Sequence, residues 1–309
     1  MSRNHVSHVN NVSDVSDVNN IDNSKTEPVE KVSKKVSQCE EKIKSVEEYL
    51  NAIDSIYKKF WEENQSNDTI KYSPKIWYRG VRAQDYEMLP SISRNGLNVS
   101  HETIFLSKFK SKSIPYLGQL PAYPFSKGLS GYWDWMFLMQ HYGVPTRLMD
   151  WSEDALVALL FAINVDATDK ELAKDPAVWC LNPVKLNEAF KFNDVYPLGY
   201  IPNVEEKEVY EMFGPEQSGF VNKKPCAVYG PLNSTRIVAQ KGVFTIFPYN
   251  NNMTEFDKLL DSSDYMEKLI ICKDSREDIT EQLRKYGINY AQLFPEIEYV
   301  SKEIFEEGY

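Results

Sequence analysis

The stretch LMQHYGVPTRLMDWSEDALVALLFA, residues 138–162, decides how this chain folds. Its first half gathers His141, Arg147, Asp150 and Trp151, and its second half is almost purely apolar. A surface loop has no use for such a tail, and a plain core helix has no use for such a head. Gly143 and Pro145 place a turn ahead of it and set the approach of His141 and Arg147. Ser152 or Asp154 can cap a helix over 154–164, and ALVALLFA is then its buried body. A helix N-terminus presents free N–H groups that favour an anion, so one place can both cap and bind. His141 reads as a base or as a hydrogen-bonded structural residue. Asp150 reads as the partner of an arginine or of a backbone turn.

Two further polar clusters lie on either side. In WYRGVRAQDYEMLPSISR, residues 77–94, Arg79 closes a run of strand-forming residues and Gly80 follows it. An arginine at a strand end, beside a glycine that lets a ligand or a backbone come close, suits a phosphate or carboxylate. The alternative is an arginine paired with a structural carboxylate. In TRIVAQKGVFTIF, residues 235–247, a strand would turn Arg236, Val238 and Gln240 to one face. That face lines a site or belongs to a solvated edge strand. What the clusters share is arginine: Arg79, Arg94, Arg147 and Arg236. In an acidic protein this recurrence points to an anionic ligand such as a nucleotide.

The chain has 309 residues and a formal net charge of −10, from 35 Lys and Arg against 45 Asp and Glu. That balance argues against general nucleic-acid binding, although a local basic site stays open. The four cysteines form no CxxC pair and no zinc spacing, so no metal is expected and the thiols read as reduced. No apolar run reaches the roughly 18–20 residues of a membrane span, and the N-terminus lacks a secretory pattern. Together these features predict a cytoplasmic protein without a membrane partner.

Residues 1–38 read as a low-complexity, disordered tail, with Val6, Val9, Val12, Val15, Val18 and Ile21 recurring at a spacing that fits neither helix nor strand. Residues 39–70 carry an amphipathic helix that packs on the domain through Ile43, Val46, Leu50, Ile53, Tyr57 and Phe60. Residues 71–309 form the domain itself. KIWYRG, AVWCL, RIVAQKGVFTIF and EKLIICK read as strands. Helices are expected near 100–108, 131–141, 154–164, 184–191, 204–212, 253–260, 276–286 and 296–305. Residues 111–128, with Pro115, Pro121 and Pro124, read as a lid or an irregular loop. Interspersed strands and helices without strict alternation predict an α+β fold, a mixed and mostly antiparallel central sheet flanked by helices.

No nucleotide-binding glycine motif, zinc helix or nucleophile elbow is present. The clusters together do resemble a known family. YRG at 78–80, LPSISR at 89–94, QHYGVPTRLMDWSEDALVALLFA at 140–162, RIVAQKGVF at 236–244 and LFPEIEYVSKEI at 293–304 follow the order of the FRG domain family. Tyr78 stands where that family's name has phenylalanine, Met149 where leucine is usual and Ser152 where threonine is usual. The motif order is also similar to that of ADP-ribosyltransferases. That similarity implies an ADP-ribosyltransferase-like architecture and NAD as substrate. Arg79, Ser152 and Gln240 would take the catalytic places: Arg79 on the pyrophosphate or ribose, Ser152 on the nicotinamide ribose, and Gln240 where an acidic residue is usual. Tyr78, Gly80, Arg94, His141, Arg147, Asp150 and Arg236 would complete the ligand site. A transferase needs a macromolecular acceptor, and the implied setting is a bacterial toxin or phage-defence system. The alternative is an inert module that binds a nucleotide, a nucleic acid or a protein. A carboxylate beside Arg79 would favour the enzyme.

Overall fold

The computed structural model describes residues 42–65, 73–94, 96–119, 130–163, 167–189, 199–214, 224–232, 234–250, 253–259, 262–295, 299, 301 and 304. The chain divides into Met1–Ser37 and Gln38–Tyr309, and the first unit lies outside the described residues. The tail reading and most of the expected lid fall outside them too, and of the C-terminal helix expected over 296–305 only residues 299, 301 and 304 are described, each of them helical. What is described of residues 111–128 is the end of a helix and a 3-10 turn at Ile114–Gln119.

The domain is α+β, as expected. Its sheet has six antiparallel strands, β1 (Trp77–Val81), β2 (Leu148–Ser152), β3 (Ala177–Leu181), β4 (Cys226–Val228), β5 (Gly242–Ile246) and β6 (Met266–Ile270). They lie in the order β4-β5-β2-β1-β3-β6. The run AVWCL becomes β3, buried at every position because layers cover both of its faces. A single bridge stands just past the end of each edge strand. Ile43 bridges to Ile271 beside β6, and Asn203 bridges to Tyr229 beside β4. These short pairings occupy backbone groups that would otherwise template aggregation.

One face of the sheet carries α1 (Val46–Gln65), α4 (Ala155–Ala162) and α9 (Arg276–Lys285) over Tyr78, Val178 and Cys180. The buried face of α1 is Val46, Tyr49, Ile56 and Phe60, and the expected Leu50 and Tyr57 stay 42% and 39% exposed. The apolar stripe is wider than the contact. Tyr49 decides the rotation, because its hydroxyl donates to Ala155 O at 2.9 Å. The opposite face buries Trp77, Trp151, Trp179 and Phe256. A third cluster sits at the β4–β5 end, under α3 (Ser130–His141) and α7 (Lys207–Phe213).

Other elements differ from the reading of the sequence. LMDWS is a strand, β2, with Leu148 buried beside Phe244 while Met149 and Trp151 are buried on the other side. Its central Asp150 is a poor strand former and masked the alternation. TRIVA is a short helix, α8 (Thr235–Ala239), and only the second half of that run forms β5. Ser234 caps it by accepting from Ile237 N at 3.1 Å. The helix expected over 253–260 is a single 3-10 turn, Phe256–Lys258. CAV at β4 and α10 (Tyr290–Leu293) were not foreseen.

The loop after β1 is anchored by α5 (Asp169–Leu172). Glu171, 6% exposed, accepts from the Tyr86 hydroxyl, from Thr168 N and Oγ1 at 2.7 and 2.8 Å, and pairs with Arg82 Nε at 3.1 Å. Burial pushes its carboxyl up, but these hydrogen bonds and Arg82 win and bring it down to about 2. A depressed carboxyl stabilises the fold above its unfolded pKa and ceases to do so as pH falls through the folded one. Chemical denaturation should therefore show stability falling between pH 4.5 and about 2. The Glu171→Gln variant should fall less steeply across that window.

Candidate functional site

The sheet parts between its two central strands. β2 pairs with β5 through five residues and β1 pairs with β3 through five, yet β1 and β2 meet only at Tyr78 and Ser152. Beyond that pair the strands splay, and a cavity of about 530 Å³ lies at the opening. That volume falls within the ~300–1,000 Å³ of small-molecule sites.

Arg79 spans the gap. Its Nη1 donates to the Asp150 backbone oxygen and pairs with Asp150 Oδ2 at 3.0 Å. The guanidinium thus takes up a carbonyl that the short ladder leaves unused. Its Nε is buried without a hydrogen-bond partner. Gly80 lets the other side close. A Cβ there would lie 2.0 Å from Ala158 O and 2.6 Å from Ala162 N, so only glycine lets α4 pack on β1. The backbone that approaches Gly80 is therefore the protein's own helix.

Asp150 is held from two sides. Gln140 Nε2 lies 3.4 Å from Oδ1, and Gln140 is fixed in turn by the Thr146 hydroxyl at 2.6 Å. The Asp150 side chain is 66% exposed to the cleft. The surrounding protein pushes its carboxyl up, and Arg79, a backbone hydrogen bond and Arg94 pull it below the ordinary range. Arg94 donates from Nε and Nη2 to Leu89 O, at 3.1 and 2.6 Å. Burial and the nearby Arg79 both disfavour its charge, so an incoming anion would relieve it.

The structure brings Tyr78, Arg79, Gly80, Arg94, His141, Asp150, Ser152, Arg236 and Gln240 to this one cavity. His141 lies at the end of α3, its ring edge-on to Tyr142. Tyr78 is 8% exposed, and burial pushes its phenol up.

Three residues take other parts than expected. Arg147 does not line the cavity. It is fully buried and binds Glu102 of α2 (Val99–Ser113), with Nε 2.9 Å from Oε2. Its remaining donors reach the Tyr132 hydroxyl and the carbonyls of Phe213 and Phe247. Ser152 donates to Gln240 O at 2.7 Å and accepts from Asp154 N at 2.9 Å, so its proton is held by the scaffold. Asp154, not Ser152, caps α4. Gln240 is the C-cap of α8, not a strand residue, and its amide donates to Leu293 O at 3.0 Å. Arg236 still shares its side of the chain with Gln240, because four residues is one helical turn. Val238 faces away and is 54% exposed.

Gln140, Phe161 and Phe294 also line the cavity and were not singled out from the sequence. Only adjacency to His141 pointed to Gln140. Among the described residues no group of three or more His, Cys, Asp or Glu is placed to hold a metal. No helix there is long and apolar enough to cross a membrane.

Residues 74–171 match the family model described as FRG domain. The chain carries an FRG domain. The tripeptide that suggested the family now has a physical account: in this FRG domain Arg79 ties the parted strands together and Gly80 admits α4. The match ends at α5, so β3 to β6 and α8 lie beyond it. No curated protein and no solved structure matches the chain.

Proposed function

We propose that the cleft between β1 and β2 binds a nucleotide, with its phosphate at Arg79 and Arg94. The observation that carries this reading is an imbalance of charge inside one cavity. Arg79, Arg82, Arg94 and Arg236 line it against the carboxylates of Asp150 and Glu87, and among the described residues Arg79 pairs with Asp150 and Arg82 with Glu171, while Arg94 and Arg236 have no ion pair. The buried, unpartnered Nε of Arg79 adds a donor suited to a phosphate oxygen. The part-buried Phe161 in the cavity wall suits a planar base. The test is calorimetric titration with AMP, NAD and ADP-ribose. Arg79→Ala should weaken the best of them by about 10- to 100-fold, the worth of a charge-assisted, partly desolvated contact. Equal affinity in the variant and the parent would exclude the phosphate role.

A second reading, cleavage of NAD, is favoured by Asp150. Its carboxylate lies 3.0 Å from Arg79 and keeps its charge near neutral pH. Loss of nicotinamide breaks the C1′–N bond and leaves positive charge on the ribose, which an adjacent carboxylate stabilises. Water or a macromolecular acceptor then bonds to C1′ and gives up a proton. With Ser152 and Gln240 held by the scaffold, Asp150 takes the acidic role in this reading. Nicotinamide release from NAD, with and without cell lysate, separates the two. Release abolished by Asp150→Asn supports the enzyme, and absence of release alongside tight nucleotide binding leaves an inert module.

A further inference from the structure

We infer that Arg236 is a stacking platform that selects ligands with a planar heterocycle, a specificity-determining role that rests on the nucleotide reading above. The guanidinium lies over the Phe294 ring, with Cζ 4.3 Å from the centroid. Phe294 cannot move to suit a ligand. It stacks on Tyr299 at 4.5 Å and 21°, and meets Phe161 edge-on at 5.6 Å. It is 4% exposed, so a base cannot reach its ring, and the surface offered to the cavity at this place is the guanidinium itself.

The Arg236 side chain makes no ion pair or hydrogen bond among the described residues, although it is only part-buried and charged. A structural arginine is usually tied by its donors, as Arg147 is here. Arg236 is held by its contact with the Phe294 ring instead. Planar guanidinium groups stack on nucleobases as they stack on aromatic rings. A base placed on the outer face would complete a base–arginine–phenylalanine sandwich. Arg236 reaches the cavity from α8, whereas the phosphate arginines reach it from β1 and the segment that follows it. Arg79 and Arg94 sense each other, and the Ser152–Gln240 bond joins the end of β2 to the C-terminus of α8, with Arg236 one turn further on. A ligand that meets both groups has an anionic part and a flat part.

The test compares AMP and nicotinamide mononucleotide with ribose 5-phosphate, which carries the same sugar and phosphate without a base. Arg236→Lys keeps the charge and removes the plane. We expect it to weaken both mononucleotides by about tenfold, within the range for base stacking, and to leave ribose 5-phosphate unchanged. Phe294→Leu, which keeps an apolar side chain beneath, should reproduce the pattern, with circular dichroism confirming the fold. If all three ligands weaken equally, Arg236 is an electrostatic anchor and the platform is overturned. No change in any of them overturns it as well. Failure of the parent protein to bind any of the three would sink the nucleotide reading, a result distinct from loss of the platform alone.

Discussion

Glu102→Ala should lower the stability of the folded domain by about 3–5 kcal/mol, the cost of leaving a buried charge without its partner. Arg147 is fully buried, and Glu102 is its counter-ion. Burial pushes the Glu102 carboxyl up, and the guanidinium beside it opposes that shift. With Glu102 gone, the guanidinium keeps its proton and has only neutral acceptors, the Tyr132 hydroxyl and two backbone carbonyls. The Arg147 amide also loses its acceptor, Glu102 Oε1 at 2.7 Å. A buried donor left unpaired adds a penalty of about 1–3 kcal/mol that overlaps the first. Glu102→Gln keeps an acceptor for that amide and should cost less. Replacing both partners, Glu102→Leu with Arg147→Met, should recover much of the loss, because no charge remains to be solvated. Urea denaturation midpoints at constant m-value measure all three. A loss below about 1 kcal/mol in Glu102→Ala would show that water reaches the guanidinium, as at a surface pair.

The second large effect belongs to Gly80. Gly80→Ala should cost about 3 kcal/mol, the upper end of the usual overpacking range. The added methyl would meet Ala158 O and Ala162 N, both backbone atoms of α4, at distances no real Cβ tolerates. A flexible side chain could swing away, but a helix must move as a body. That shift would carry Ala158 and Phe161, which line the cavity, away from Arg79. Nucleotide affinity should therefore fall together with stability, although Gly80 has no side chain to offer a ligand. Thermal melting and calorimetric titration of the same sample test both effects. A variant with parental melting temperature would mean that α4 does not press on β1 as described.

These two positions show how unevenly the sequence speaks. Gly80 beside Arg79 was legible as a place of close approach, but not what approaches. Arg147 and Arg79 looked alike on paper, each an arginine in a polar cluster. A carboxylate from α2, far away in sequence, draws Arg147 into the core, while the parting of β1 from β2 leaves Arg79 at a cavity. Local pattern carries no trace of either. TRIVAQKGVFTIF misled for another reason. Its β-branched residues favour a strand, and a Ser234 cap with the turn at Lys241, φ 46°, makes the first half a helix. Arg236 and Gln240 kept a common side because both periods bring residues four apart together.

By itself the sequence determined the α+β class, the strand AVWCL, most helices of the domain and the family motifs within residues 74–171, because hydrophobic period and capping chemistry are local properties. It also brought much of the polar lining of the candidate site into view, since Arg79, Arg94, Asp150, Arg236 and Gln240 all reach one cavity. Only the tertiary structure decided which of these groups are available to a ligand. Whether a charge is quenched depends on counter-ions and backbone oxygens delivered by distant segments, and packing chooses those partners. Thus the Ser152 proton is committed to Gln240 O, Arg147 to Glu102, and Arg94 and Arg236 are left facing the cleft.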